Sequence, residues 1–303
     1  MRFSVWPSPT RPVSEILDTA RMADADGWFG VWFADHYMPN TGTEEVDDGD
    51  THEAWAILPA IAAATERVRI GPLVSPTSVH HPALLANRAV SIDHVSNGRF
   101  VLGLGAGWQI NEHRAYGIEL QEPGPRVDRF EEAIEIVRSL LDEPRTSFDG
   151  TYYQVTNAPC HPAPVQEHLP ILVGTGGPRM LRITARFADE WNTWGTPETV
   201  ADRTAAMEQA CAAVERDPAT VWRSAQALVF LTDDEERAAK VRENAPADRS
   251  LIGSSEQLIE LMAGYQALGV DELIIPDFTL GRDTQERHDS YRRLVAEVVP
   301  ALA

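Results

Sequence analysis

A chain of 303 residues that is 43% apolar and 24% charged carries enough apolar material for a large core, at a size usual for one α/β barrel. Its net charge of −20 opposes nonspecific binding to nucleic acid or to an anionic membrane, although main-chain amides can still meet an anionic small molecule. Only Cys160 and Cys211 are present, so neither a disulfide framework nor a cysteine-rich zinc site is expected. The start MRFSVWPSPTRP lacks a signal-peptide core and no later run is long enough to span a bilayer, so the expected location is the cytoplasm.

Strand-like and helix-like segments alternate along the chain. Residues 2–6 read as a strand, and 13–26 as a helix with Ile16, Leu17, Ala20 and Ala23 at helical spacing, closed by Gly27. A strand at 30–33 and a helix at 53–65 follow. Residues 68–71 form the next strand and run on to Pro72-Leu73-Val74; helix 82–96 then stops at Asn97-Gly98. Strand 99–104, a loop and helix 126–141 come next. The second half reads as strand 170–174, helix 178–187, strand 189–193, helix 197–215, strand 223–231, helix 254–268, strand 270–276 and helix 284–299. About eight βα units without a linker-like break favour a single (β/α)8 TIM barrel over residues 1–303, rather than a doubly wound open sheet. Two segments exceed a bare barrel and read as insertions. Residues 41–51 are acidic, without EF-hand ligand spacing, and suit a mobile lid or solvated loop. Residues 146–166 suit a hairpin followed by a proline-rich stretch.

Working residues of such a barrel sit at the C-terminal ends of its strands. Those ends carry Trp6, Asp35-His36, Val74-Ser75-Pro76-Thr77, Gly105-Ala106-Gly107-Trp108, Gly174-Thr175-Gly176-Gly177 and Trp191-Asn192. Aromatic and glycine-lined walls suit a flat heterocycle. The strand 170–173, its glycines and a helix opening on Pro178 outline an anion site made of main-chain amides. The residues alone leave His36 as either an acid–base group or a ring that caps the adjacent turn. They likewise leave Asp35 as either a helix cap or the acceptor that orients the His36 imidazole. His80-His81-Pro82 suits a cap of helix 82–96 better than a metal site, and no metal-ligand set stands out. Trp28, Trp55 and Trp222 suit the shell between helices and barrel.

Taken together, these segments resemble the luciferase-like monooxygenase superfamily, and within it the deazaflavin (coenzyme F420)-dependent oxidoreductases. The resemblance is carried by Gly30-Val31-Trp32-Phe33-Ala34-Asp35-His36, Glu53-Ala54-Trp55, Thr65 to Gly71 and His81-Pro82-Ala83. It continues through Gly98 to Trp108 with Asn111-Glu112, then Asp149 to Tyr153, Pro170 to Gly174 and Gly269 to Glu272. It implies a barrel holding a deazaflavin or flavin at its C-terminal mouth, with His36 beside the reactive face as proton donor or stabiliser of the reduced ring. In such proteins the third strand ends in a non-prolyl cis peptide that bulges against the back of the ring, which here would fall within Pro72-Leu73-Val74-Ser75. The resemblance also gives the amides of Gly174, Thr175, Gly176 and Gly177 to the cofactor phosphate, and Gly105, Ala106 and Gly107 to the wall beside the ring. Trp6, Leu73, Val74, Ser75 and Asn111 complete the expected cofactor contacts, with His36 and Asp35 as the catalytic pair. One departure bears on substrate: sugar-phosphate dehydrogenases of this superfamily carry glutamate where this chain has Trp108 and tryptophan where it has Asn40.

The reading that follows is an oxidoreductase moving a hydride between C5 of F420 and an organic small molecule, with a homodimer expected from the resemblance. The same fold with FMN and oxygen chemistry is the alternative cofactor reading, and a non-catalytic flavin- or deazaflavin-binding barrel the alternative class.

Overall fold

A computed structural model describes residues 1–302. Its strands are β1 (Arg2–Trp6), β2 (Gly30–Phe33), β3 (Arg69–Pro72), β4 (Ser75–Pro76), β5 (Leu102–Gly105), β6 (Thr146–Asp149), β7 (Gln154–Ala158), β8 (Ile171–Gly174), β9 (Glu190–Trp194), β10 (Trp222–Gln226), β11 (Leu228–Leu231), β12 (Ser250–Gly253) and β13 (Glu272–Pro276). The helices are α1 (Val13–Asp26), α2 (Ala54–Ala64), α3 (Pro82–Ser96), α4 (Ile110–Ala115), α5 (Pro123–Asp142), α6 (Pro178–Phe187), α7 (Pro197–Ala212), α8 (Glu235–Asn244), α9 (Ser255–Ala267), α10 (Thr284–Arg293) and α11 (Val299–Leu302).

The main sheet runs β3-β2-β1-β13-β10-β9-β8-β5-β4, and every pairing in it is parallel. Its two end strands are halves of one stave. β3 pairs with β2, β4 pairs with β5, and the chain between them turns at a cis Leu73–Val74 peptide. A bridge from Ile70 to Phe100 joins the remaining seam. The result is an eight-stave (β/α)8 barrel with its helices outside. A Cβ on Gly103 would collide with the Pro72 carbonyl, and one on Gly71 with that of Val101, so glycine lets the broken stave lie close to β5.

Two apolar layers hold this arrangement. Trp32, Val101, Leu172 and Ile274 fill the barrel interior, where strands placed side by side alternate their inward residues. The larger layer lies between strands and helices, with Ile16, Leu58, Leu85, Phe130, Ile134 and Tyr265 packed on the outside of the staves. At the N-terminal end the interior closes on polar groups. The Glu272 carboxylate accepts from Ser4 Oγ at 2.5 Å and Trp32 Nε1 at 2.7 Å, and Arg69 reaches both Glu272 and Glu190. Burial pushes the Glu190 carboxyl up to about 7 even though Arg69 opposes the rise.

Three segments differ from the sequence reading. Residues 223–231 are two strands: β10 belongs to the barrel, while β11 leaves it and pairs with β12 in a separate two-stranded parallel sheet. Helix α8, between those two, buries only Ala238 and so shows no apolar periodicity to read. The loop after β5 contains α4, six residues long and too short for a periodic signal. The 146–166 segment does contain a hairpin, β6 and β7, and residues 41–51 form neither helix nor strand.

Candidate active site

The C-terminal ends of the staves surround a cavity of about 820 Å³. That volume falls within the range of small-molecule sites. One wall is Val74, which projects from the turn between β3 and β4. A Cβ on Gly105 would lie 2.7 Å from Val74 Cγ2, and one on Gly174 3.1 Å from Val74 Cγ1. Both glycines therefore act as spacers for the Val74 side chain, which is a different use of glycine from amide presentation. Trp6 and Trp194 line the same cavity with ring centroids 5.6 Å apart, and Phe278 extends the row at 5.2 Å from Trp6.

His36 lines the cavity just beyond β2. Its Nδ1 lies 2.9 Å from Glu112 Oε1, and the other carboxylate oxygen accepts the Tyr37 N–H at 2.9 Å. A carboxylate only accepts, so the pair sets Nδ1 as the protonated nitrogen and leaves Nε2 free for exchange. The Trp108 indole stands edge-on to the imidazole at 5.6 Å and is 57% exposed. Behind the wall, Asp35 is fully buried. Its Oδ2 accepts from Trp55 Nε1 at 3.0 Å, from Ser75 Oγ at 2.5 Å and from His80 Nε2 at 2.9 Å. Burial opposes its ionisation, but the bonds from His80, Ser75 and Trp55 outweigh that and hold the carboxyl below the usual aspartate value.

The glycine turn after β8 offers donors selectively. The Thr175 N–H is engaged by the Asn192 carbonyl at 3.1 Å, and the Gly177 N–H by Thr175 Oγ1 at 3.3 Å. The N–H groups of Gly176, Arg179 and Met180 have no partner among the described residues, as a helix N-terminus leaves them. They are the amides available to an anion, and the α6 dipole favours negative charge there. Arg203, from α7, lies over Gly176.

Residues 1–248 match the family described as luciferase-like monooxygenase. The chain belongs to that family. It is 34% identical over 176 residues to the F420-dependent glucose-6-phosphate dehydrogenase of Kineococcus radiotolerans, a match covering 58% of this chain and 50% of that one. It is 30% identical over 220 residues to the F420-dependent hydroxymycolic acid dehydrogenase of Mycobacterium tuberculosis, covering 72% and 59% of the two chains. The chain thus spans little more than half the length of these curated relatives. Among solved structures, the coenzyme F420-dependent tetrahydromethanopterin reductase of Methanopyrus kandleri shares its fold, with a TM-score of 0.83 at 16% identity over 100% of this chain and 99% of that one.

Within this luciferase-like barrel, the structure gathers Trp6, His36, Leu73, Val74, Gly105, Ala106, Gly107, Gly174, Thr175 and Gly176 around one cavity. Four expected site residues lie elsewhere. Asp35 does not orient His36; Glu112 does, because the Asp35 carboxylate faces the barrel wall and its three donors. Ser75 turns inward to Asp35, so it supports Val74 from behind rather than touching the cavity. Asn111 is buried and donates to the Pro39 carbonyl at 2.8 Å. Gly177 is the exposed N-cap of α6, one residue beyond the lining. His81 caps α3 as expected, whereas His80 belongs to the Asp35 cluster. Glu112, Arg203, Asn192 and Gln226 also line the cavity or its wall. Glu112 stood in the Asn111-Glu112 pair, with no signal of its role, because contact with His36 closes a separation of 76 residues. No cluster of three or more metal-ligating side chains occurs among the described residues, and none of their helices is long and apolar enough to cross a membrane.

Proposed function

We propose that this chain is an F420-dependent oxidoreductase that moves a hydride between C5 of the deazaflavin and a small organic substrate. The observation that carries the reading is the coincidence, in one cavity, of the imidazole of His36 with an unpartnered amide cup on the turn after β8. The dehydrogenases named above as F420-dependent support the choice of cofactor.

The residues fit such a group. The free amides of Gly176, Arg179 and Met180 suit a phosphate, Val74 and Leu73 offer an apolar surface to a ring, and the cavity volume falls within the range of small-molecule sites. When bound, the deazaflavin supplies a ring carbon that accepts or donates two electrons as hydride. Trp6, Trp194 and Trp108 give the same cavity further apolar surface. His36 exchanges a proton through Nε2 with a substrate oxygen, while Glu112 holds the tautomer through Nδ1 and stabilises the imidazolium. The indole of Trp108 beside His36, in place of a carboxylate, argues for a substrate other than a sugar phosphate.

Reconstitution with F420 or FMN, followed by a screen of alcohols and carbonyl compounds against the deazaflavin absorbance, tests this. Retention of F420 in preference to FMN is expected. His36→Ala is expected to lower turnover by about 10²-fold or more, the usual yield of a positioned acid–base group. Its F420 affinity is expected to stay close to that of wild type. FMN bound tightly with F420 excluded would overturn the cofactor assignment, and wild-type turnover in His36→Ala the proton role.

A further inference from the structure

Arg203 is a cation without a carboxylate in a protein that carries a net charge of −20. Its Nη1 is anchored twice, to Thr193 Oγ1 at 2.7 Å and to the Trp194 carbonyl at 2.7 Å. Among the described residues its Nε and Nη2 have no hydrogen-bond partner, and no carboxylate comes within ion-pair distance. These two nitrogens form the side-on fork of a guanidinium, whose parallel N–H bonds match two oxygens of a phosphate or carboxylate. The fork lies over Gly176: a Cβ built there would be 3.7 Å from Nε and 3.8 Å from Cζ. Gly176 contributes one of the unpartnered N–H groups of the cup, and Arg203 and Gly176 line the same cavity.

We propose that Arg203 completes the phosphate site, with its Nε/Nη2 fork closing over an anion seated on the Gly176, Arg179 and Met180 amides. This rests on the cofactor reading above and adds the residue that makes the phosphate, rather than the ring, the main handle for binding. The surface charge of the protein repels a phosphorylated ligand at long range, and three neutral amides supply only partial charge. A fixed guanidinium at the cup supplies the missing full charge locally. The anchors on Thr193 and Trp194 hold it there at little cost in side-chain freedom. They also tie the phosphate site to the end of β9, whose Trp194 lines the same cavity.

The test compares F420 with its phosphate-free deazariboflavin core, each titrated into wild type, Arg203→Gln and Arg203→Lys by fluorescence quenching. Melting of the unliganded proteins serves as the fold control. Arg203→Gln is expected to weaken F420 by about tenfold or more while leaving the core within about twofold, since the charge and the fork facing the anion are lost and the core carries no phosphate to miss them. Arg203→Lys is expected to fall between, because lysine restores charge without the fork. Equal weakening of F420 and the core would assign Arg203 a purely structural role through Thr193 and Trp194, and an unchanged F420 affinity would remove it from the site. Both results overturn the proposal. A wild-type chain that binds FMN and not F420 sinks the cofactor reading instead, and the FMN–riboflavin pair then decides Arg203 by the same comparison.

Discussion

Asp35 supports the cavity from behind, and its removal separates stability from binding. Three donors converge on one oxygen, Oδ2, from Trp55, Ser75 and His80, while Oδ1 is buried without a partner. In Asp35→Asn the amide oxygen can occupy the Oδ2 position and keep all three bonds, but each falls from charge-assisted to neutral. At about 1 kcal/mol per bond this is a loss of about 3 kcal/mol, reduced somewhat because a charge is no longer buried. Asp35→Ala leaves three donors with no acceptor in a dry site, for a loss of about 3–5 kcal/mol. Urea unfolding at neutral pH is therefore expected to rank wild type above Asp35→Asn and Asp35→Ala last. The carboxyl is held below its ordinary value of 3.8, so its contribution is complete above that value and is lost as pH falls through the lower folded pKa. Ser75→Ala isolates the functional consequence. It removes a single donor, costing about 1–2 kcal/mol, yet Ser75 is the residue after Val74 and fixes that wall from outside the cavity. F420 affinity is expected to fall in Ser75→Ala although the serine touches no ligand. Wild-type affinity in that variant, or wild-type stability in Asp35→Ala, would show that the cluster does not hold the wall.

Two further predictions follow from the same structure. The folded Glu190 value of about 7 lies above the ordinary 4.5, so this residue lowers stability as pH rises from about 4.5 through 7. Glu190→Gln is then expected to raise stability at pH 8 by up to about 3 kcal/mol, with the gain vanishing near pH 4.5, and an equal gain at both pH values would refute the burial argument. Gly105→Ala places a methyl 2.7 Å from Val74 Cγ2 and is expected to displace the wall and lower stability, whereas Gly176→Ala meets Arg203 only at ordinary contact and is expected to leave the wall and the unfolding stability near wild type. Equal effects of the two would remove the distinction between spacer and amide-bearing glycines.

What could be read from the sequence is what short-range chemistry encodes. The strand before Gly174, the proline opening α6 and the alternation of apolar runs each depend on neighbours within a few residues, and the barrel follows from their repetition. Helix α8 was not legible because its face is polar and its contacts few, and α4 because six residues hold no period. The site itself divides the same way. His36 and the glycine turns stand at strand ends and are found by position. Their partners are not: Glu112 meets His36 across 76 residues, and His80 meets Asp35 across 45. Asp35 and His36 are adjacent in the chain, which made them look like a pair. On an extended segment adjacent side chains point to opposite sides, so one faces the cavity and the other the wall. That alternation keeps Asp35 and His36 from pairing and requires separate partners for each: an acceptor for the His36 N–H and donors for the Asp35 carboxylate. The chain meets this by placing Glu112 on α4, above the mouth, and His80 before α3, behind the wall. The same residue pair thus anchors two different jobs, proton exchange on one side and support of Val74 on the other, and a variant at either position should disturb its own side first.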